Sequence, residues 1–259
     1  ERTKELLQRR DSGFPIGMST FSCIKFTKSE GVAFLTLNRP SKVNAFNVQM
    51  RDELSELLAV INDDIEVQGV IISGAGEYGF CGGADLTEFG TAPSMTIARY
   101  SKIARDIWTD LHFILKPTLV AIHGHCIGTG IEISALCDFR YATEDAVFRM
   151  PELHLGLMPA AGGTQSLTNL VNKANTLRML YTGEAFSSNQ AFEMGLIDGI
   201  FSDRDSMMIE VEKKMRQIIA FNSDVLRNLK KSVIHGADFP LYHALRLEQI
   251  LAAQIDNSK

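Results

Sequence analysis

Two short apolar runs, Gly69 to Ser73 and Thr118 to Ile122, constrain the fold most, because neither shows a polar side. A strand that is apolar throughout is covered on both faces, as in a parallel sheet flanked by helices. Helical periodicity fills the intervals. Met50, Leu54, Leu57, Leu58 and Ile61 recur on one face, and so do Ile103, Ile107, Leu111 and Ile114 within a helix expected from Met95 to Leu115. Lys116-Pro117 ends that helix, since the residue before proline is pushed out of the helical region. Cys23 to Phe26 and Val32 to Leu37 flank Ser29-Glu30-Gly31 and read as a hairpin, and Phe139 to Ala142 resumes strand character. Strands alternating with helices predict an α/β core with a largely parallel sheet. From about Ser206 the pattern is helical only, with helices expected over 207–221, 224–235 and 240–254.

At 259 residues and 45% apolar composition, the chain can bury one full core with an appendage. No apolar run approaches the roughly 18 residues of a membrane helix. The opening ERTKELLQRR lacks the apolar centre of a secretory leader. Residues 1–17 are read as an extension, a linker or a cloning remnant, 18–205 as the core and 206–259 as a helical region. A net charge of −5 without long charged blocks argues against a nucleic-acid partner, and the lack of a long apolar run against a membrane. The four cysteines form no CxxC pair and read as core residues in a reducing, cytoplasmic setting. His123, His125 and Cys126 match no strong metal-ligand spacing, so no metal is expected.

The chemistry lies in three glycine-rich stretches. HCIGTGIEISALCD, from His125 to Asp138, carries one carboxylate, Glu132, in an apolar run behind Gly128-Thr129-Gly130. With a strand before it and a helix after it, the turn offers unpaired N–H groups to an oxygen that gains negative charge. Glu132 follows Thr129 by one helical turn and could move a proton on the same substrate. Taken alone, the stretch equally fits a glutamate placed by the helix dipole. YGFCGGADL, from Tyr78 to Leu86, is a second such turn beyond a strand's C-terminal end, where open α/β sheets bind ligands. FRMPEL, from Phe148 to Leu153, adds Glu152 behind a proline. His154 and Asp138 read as loop and helix-end residues, Cys81 as packing, and Lys213, Lys214, Lys230 and Lys231 as solvated lysines.

Together with LNRPSKVNAF (37–46), FRMPELHLGLMPAAGGTQSL (148–167) and YTGEAFSSNQAFEMGLID (181–198), these stretches resemble the enoyl-CoA hydratase/isomerase (crotonase) superfamily from Phe21 to Leu251. The resemblance implies a spiral of ββα units with a C-terminal helical region that builds trimers, often paired into hexamers. It implies an acyl-CoA thioester substrate and no cofactor beyond the coenzyme A of the substrate. It places an oxyanion hole at the N–H groups of Gly82 and Thr129, and the acid/base pair at Glu132 and Glu152. Coenzyme A recognition falls near Lys42, Val43, Asn44, Ala45, Ala84, Asp85 and Leu86. The implied reaction is hydration of a 2-enoyl-CoA. The alternatives are isomerisation of a 3-enoyl-CoA, dehydration of a specialised acyl-CoA, or a non-catalytic binding role on the same scaffold. Three departures stand out. Thr129 occupies a usual glycine position, which bears on acyl length or branching. Gly82 stands where alanine is common. The sequence also ends soon after the helix near Gln254, which leaves an incomplete or a differently closed pocket as the expectation.

Overall fold

The computed structural model describes residues 21–255, except for the side chains of residues 98, 99 and 101–103. The expected extension at 1–17, the expectation for Ile103 and the last residues of the helical region lie outside that description.

The hairpin forms from β1 (Ile24–Ser29) and β2 (Val32–Leu37) in full antiparallel register. Glu30 and Gly31 both take positive φ, 47° and 82°, the turn that matches strand twist. A helix, α1 (Val48–Asp63), is capped by Asn47, whose side chain accepts from the Met50 N–H. It leads to β3 (Gly69–Gly74). The single helix expected over Met95 to Leu115 is two helices, α2 (Met95–Ala104) and α3 (Ile107–His112). Arg105 and Asp106 break it with ψ of 68° and 72°, and the Asp106 side chain caps α3. Ile107, Leu111 and Ile114 are buried as the periodicity predicts.

Strand β4 (Thr118–Ile122) does not run straight into a helix. A short strand, β5 (His125–Ile127), intervenes before α4 (Thr129–Ala135). Then follow β6 (Phe139–Thr143), β7 (Val147–Arg149), α5 (Gly163–Thr182), β8 (Phe186–Ser187), α6 (Ser188–Glu193) and β9 (Gly199–Phe201). Three helices close the order, α7 (Arg204–Ile219), α8 (Ser223–Ala237) and α9 (Leu241–Ala253), where the helical-only pattern predicts them.

Two sheets result, ordered β1-β2-β3-β4-β6-β9 and β5-β7-β8. From β2 to β9 the large sheet is parallel. Both its faces are covered. Val70, Ile72, Val120 and Ile122 enter the main core, while Ile71, Leu119 and Ala121 pack under Met207, Val211 and Met215 of α7. This two-sided burial is why β3 and β4 read as unbroken apolar runs. After each inner strand the chain steps sideways and adds a bridge beside the previous turn: Phe46 with Ala84, Cys81 with Cys126, then Cys126 with Phe148. These stacked crossings are the ββα spiral, and they set the glycine-rich turns side by side.

Candidate active site

The first wall of the site is the turn into α4. Gly128 has φ 48° and ψ −110°, strained for any residue with a Cβ. An added Cβ there would lie 2.4 Å from Glu152 Oε1 and 3.9 Å from Gly83 Cα. All three glycine-rich stretches therefore meet at Gly128. As the first residue of α4, Thr129 has no helical acceptor for its N–H. Its side chain is buried beside Glu132.

Glu132 is only 3% exposed. Its Oε1 accepts hydrogen bonds from the backbone N–H groups of Ala161 and Gly163, both at 3.1 Å. Gly163 has to be glycine for that approach, because a Cβ would come within 2.8 Å of the same oxygen. Burial pushes the Glu132 carboxyl up to about 7, against the two amides, and the nearby Glu152 charge pushes the same way. Glu152 opens a 3₁₀ turn, Glu152–Leu155, behind Pro151. Burial also raises its pKa. Its Oε2 is buried and has no hydrogen-bond partner among the described residues. A buried oxygen left open in this way is suited to water or substrate.

The second wall is the turn after β3, and here the structure corrects the sequence reading. The Gly82 N–H points away from the site and donates to Val43 O at 2.7 Å. Ala84 holds the free amide. Phe46 pairs with it as a one-residue parallel bridge. The Phe46 N–H donates to Gly83 O at 2.8 Å, and the Asp85 N–H donates to Phe46 O at 2.9 Å. Both peptides flanking Ala84 are thereby fixed, and its own N–H lies on the side of the strand away from Phe46. No acceptor meets that N–H among the described residues. No signal in the sequence could have separated Gly82 from Ala84, since only the partner strand decides which amides are consumed.

At two of the positions expected near coenzyme A, the side chains are engaged within the protein. Asn44 is fully buried, with Oδ1 accepting from the Arg39 N–H and Nδ2 donating to Ala75 O and Gly79 O. Its side chain is a strut under the loop. The Asp85 carboxylate is held by Arg39 and by the Thr87 N–H and hydroxyl. Lys42 and Leu86 remain exposed, and Val43 and Ala45 are half-buried. Val43 and Asn44 both adopt positive φ, 51° and 53°, an uncommon conformation for a β-branched residue.

The tempting residues resolve as follows. Burial raises the Cys81 thiol to about 12, so it packs and does not react. Nε2 of His123 meets Gly76 O at 2.9 Å, and His154 lays its ring against Gly183. Among the described residues, no group of three His, Cys, Asp or Glu side chains is placed to hold a metal. Lys230 is not solvated as expected. Its Nζ donates to Asp138 Oδ2 and Lys116 O, both at 2.8 Å, and so ties α8 to the segments leading into β4 and β6.

Residues 27–259 match the model of the enoyl-CoA hydratase/isomerase family. The chain belongs to the enoyl-CoA hydratase/isomerase family. It is similar to the crotonyl-CoA hydratase of Syntrophomonas wolfei, 30% identical over 221 residues that cover 85% of each chain. The short-chain-enoyl-CoA hydratase of Clostridium acetobutylicum is 31% identical, with 80% of this chain and 79% of the relative covered. The crystal structure of an enoyl-CoA hydratase from Bacillus anthracis superposes with a TM-score of 0.85 at 28% identity, covering 92% of both chains. The crotonase fold expected from the motifs is therefore the fold of this protein.

Proposed function

We propose that this enzyme adds water across the double bond of a 2-enoyl-CoA thioester, with Glu132 and Glu152 as the acid/base pair and the Ala84 and Thr129 N–H groups as the oxyanion hole. The single observation that carries this reading is the placing of the buried Glu132 beside the half-buried Glu152, neither paired to a cation among the described residues, at the turns that carry the open Ala84 and Thr129 amides. The hydratase names of the similar proteins support the same reaction.

The chemistry follows from those parts. One carboxylate accepts a proton as water oxygen bonds to the β-carbon. The other, protonated, gives a proton to the α-carbon, and a 3-hydroxyacyl thioester results. Charge gathers on the thioester oxygen between the two steps, where the amides hold it. Donors of this kind are worth about 10²–10³ in rate, and general acid–base groups roughly 10²–10⁴. Raised carboxyl pKa values suit the task, since one group has to be protonated and its neighbour ionised near neutral pH. The reaction as written uses no metal or redox step. Residues 42–45 and Leu86 border the route for coenzyme A.

Two coarser readings complete the proposal. Helices α8 and α9 pack on each other and expose Leu229, Val233, Leu245 and Ile250, a face suited to a trimer or a pair of trimers. Four buried, unpaired thiols fit a cytoplasmic location. Among the described residues, no helix is long and apolar enough to cross a membrane.

The test is Glu152→Gln. Hydration of crotonyl-CoA is expected to fall by about 10²–10⁴ with the circular dichroism spectrum unchanged; near-normal turnover would remove the mechanism. Assaying a 3-enoyl-CoA beside crotonyl-CoA separates hydration from isomerisation, which needs no water.

A further inference from the structure

We infer that the Arg39–Asp85 pair is a positioning device that aims the Ala84 amide and joins it to the coenzyme A loop. The inference rests on the oxyanion role proposed above for Ala84 and names the side chains that hold it.

Arg39 follows the end of β2, far in sequence from the turn it braces. Its Nη2 donates to Asp85 Oδ2 at 2.9 Å. Its Nη1 donates to Ala45 O. These acceptors sit on opposite strands of the Phe46–Ala84 bridge, each one residue from a bridge member. One planar guanidinium thus spans the bridge and fixes the two strands against each other, a fork geometry that lysine's point charge does not reproduce. Arg39 also holds the loop through its backbone. Its N–H donates to Asn44 Oδ1 at 2.8 Å, and its carbonyl accepts from the Asn44 N–H at 2.9 Å.

The pair is sheltered, with side-chain exposure of 20% for Arg39 and 11% for Asp85. The Thr87 hydroxyl, with Arg39 second, holds the Asp85 carboxyl below the usual range. Without Arg39, Asp85 would retain only Thr87, and the bridge would keep its two backbone bonds alone. The Ala84 peptide could then tilt. Misplacing a catalytic group by about 1 Å can cost on the order of 10²-fold in rate. The strained positive-φ residues Val43 and Asn44 lie within the same brace, so slack there reaches the coenzyme A loop as well.

The experiment compares wild type, Arg39→Ala, Arg39→Lys and Asp85→Asn in two measurements. The first is steady-state hydration of crotonyl-CoA. The second is the absorbance red shift of a bound 2,4-dienoyl-CoA, which reports how strongly the enzyme polarises the thioester carbonyl. Arg39→Ala is expected to lower kcat by roughly 10–100-fold and to shrink the red shift, with a smaller change in KM. Arg39→Lys, which keeps the charge but not the fork, is expected to restore only part of both. A full red shift and wild-type kcat in folded Arg39→Ala would overturn the positioning role. So would a loss confined to thermal stability. If the wild type itself neither hydrates the substrate nor shifts the dienoyl spectrum, the oxyanion reading fails, and this inference fails with it.

Discussion

Replacing Glu132 with glutamine is expected to stabilise the fold at alkaline pH while cutting turnover by orders of magnitude. Burial raises the Glu132 carboxyl from 4.5 to about 7 in the native state. A raised carboxyl pKa means that the folded protein favours the protonated form. Its contribution to stability is complete below about pH 4.5 and is lost as pH rises through 7. The loss, fully felt above neutrality, is about 2.5 pKa units at 1.36 kcal/mol each, or roughly 3 kcal/mol. Glutamine stays neutral at every pH, and its carbonyl can still accept from Ala161 and Gly163. The Glu132→Gln variant is thus expected to match wild type near pH 4 and to exceed it by about 3 kcal/mol near pH 8. For a chain of this length that is a Tm difference of roughly 6 °C at pH 8. Differential scanning fluorimetry across pH 4–8 would measure it, alongside hydration, which is expected to fall by about 10²–10⁴. An equal Tm offset at every pH, or a less stable variant at pH 8, would refute the claim that burial strains this carboxylate.

Gly128→Ala is expected to reduce turnover at least tenfold, because the new Cβ would meet Glu152 Oε1 and the backbone has φ 48°; kinetics of the folded variant check this. Lys230→Ala removes a cation from the half-buried Asp138 and two 2.8 Å contacts from α8 to the segments leading into β4 and β6, so stability is expected to drop by about 1–3 kcal/mol in urea unfolding. Thr129→Gly keeps the N–H and removes a buried β-branched side chain beside Glu132, so relative activity is expected to shift toward longer or branched enoyl thioesters in a graded panel.

Much of the fold could be read from local patterns. The hairpin, β3, β4 and α7 have a period or an apolar run that burial satisfies, while α8 and α9 form where their period predicts and leave apolar residues exposed. Helix α5 escaped the reading although Leu167, Val171 and Met179 line its buried side. Its pattern is interrupted at Asn172, where φ 66° and ψ 166° break the helical course. Strands β5, β7 and β8 have three residues or fewer, too few for alternation to show. Lys230 looked like an ordinary surface lysine because its partner, Asp138, lies on another element.

At the site, residue types and their order in the chain determined the two glutamates, the glycine turns and the family, since those depend on which groups are present. Tertiary structure alone decided which of those groups are available. Pairing with Val43 consumes the Gly82 amide, pairing with Phe46 leaves Ala84 open, and inward packing engages the side chains of Asn44 and Asp85 within the protein. A backbone N–H is the same donor at every position in a sequence. Only the strand laid beside it determines whether its hydrogen is already bound or remains for a substrate.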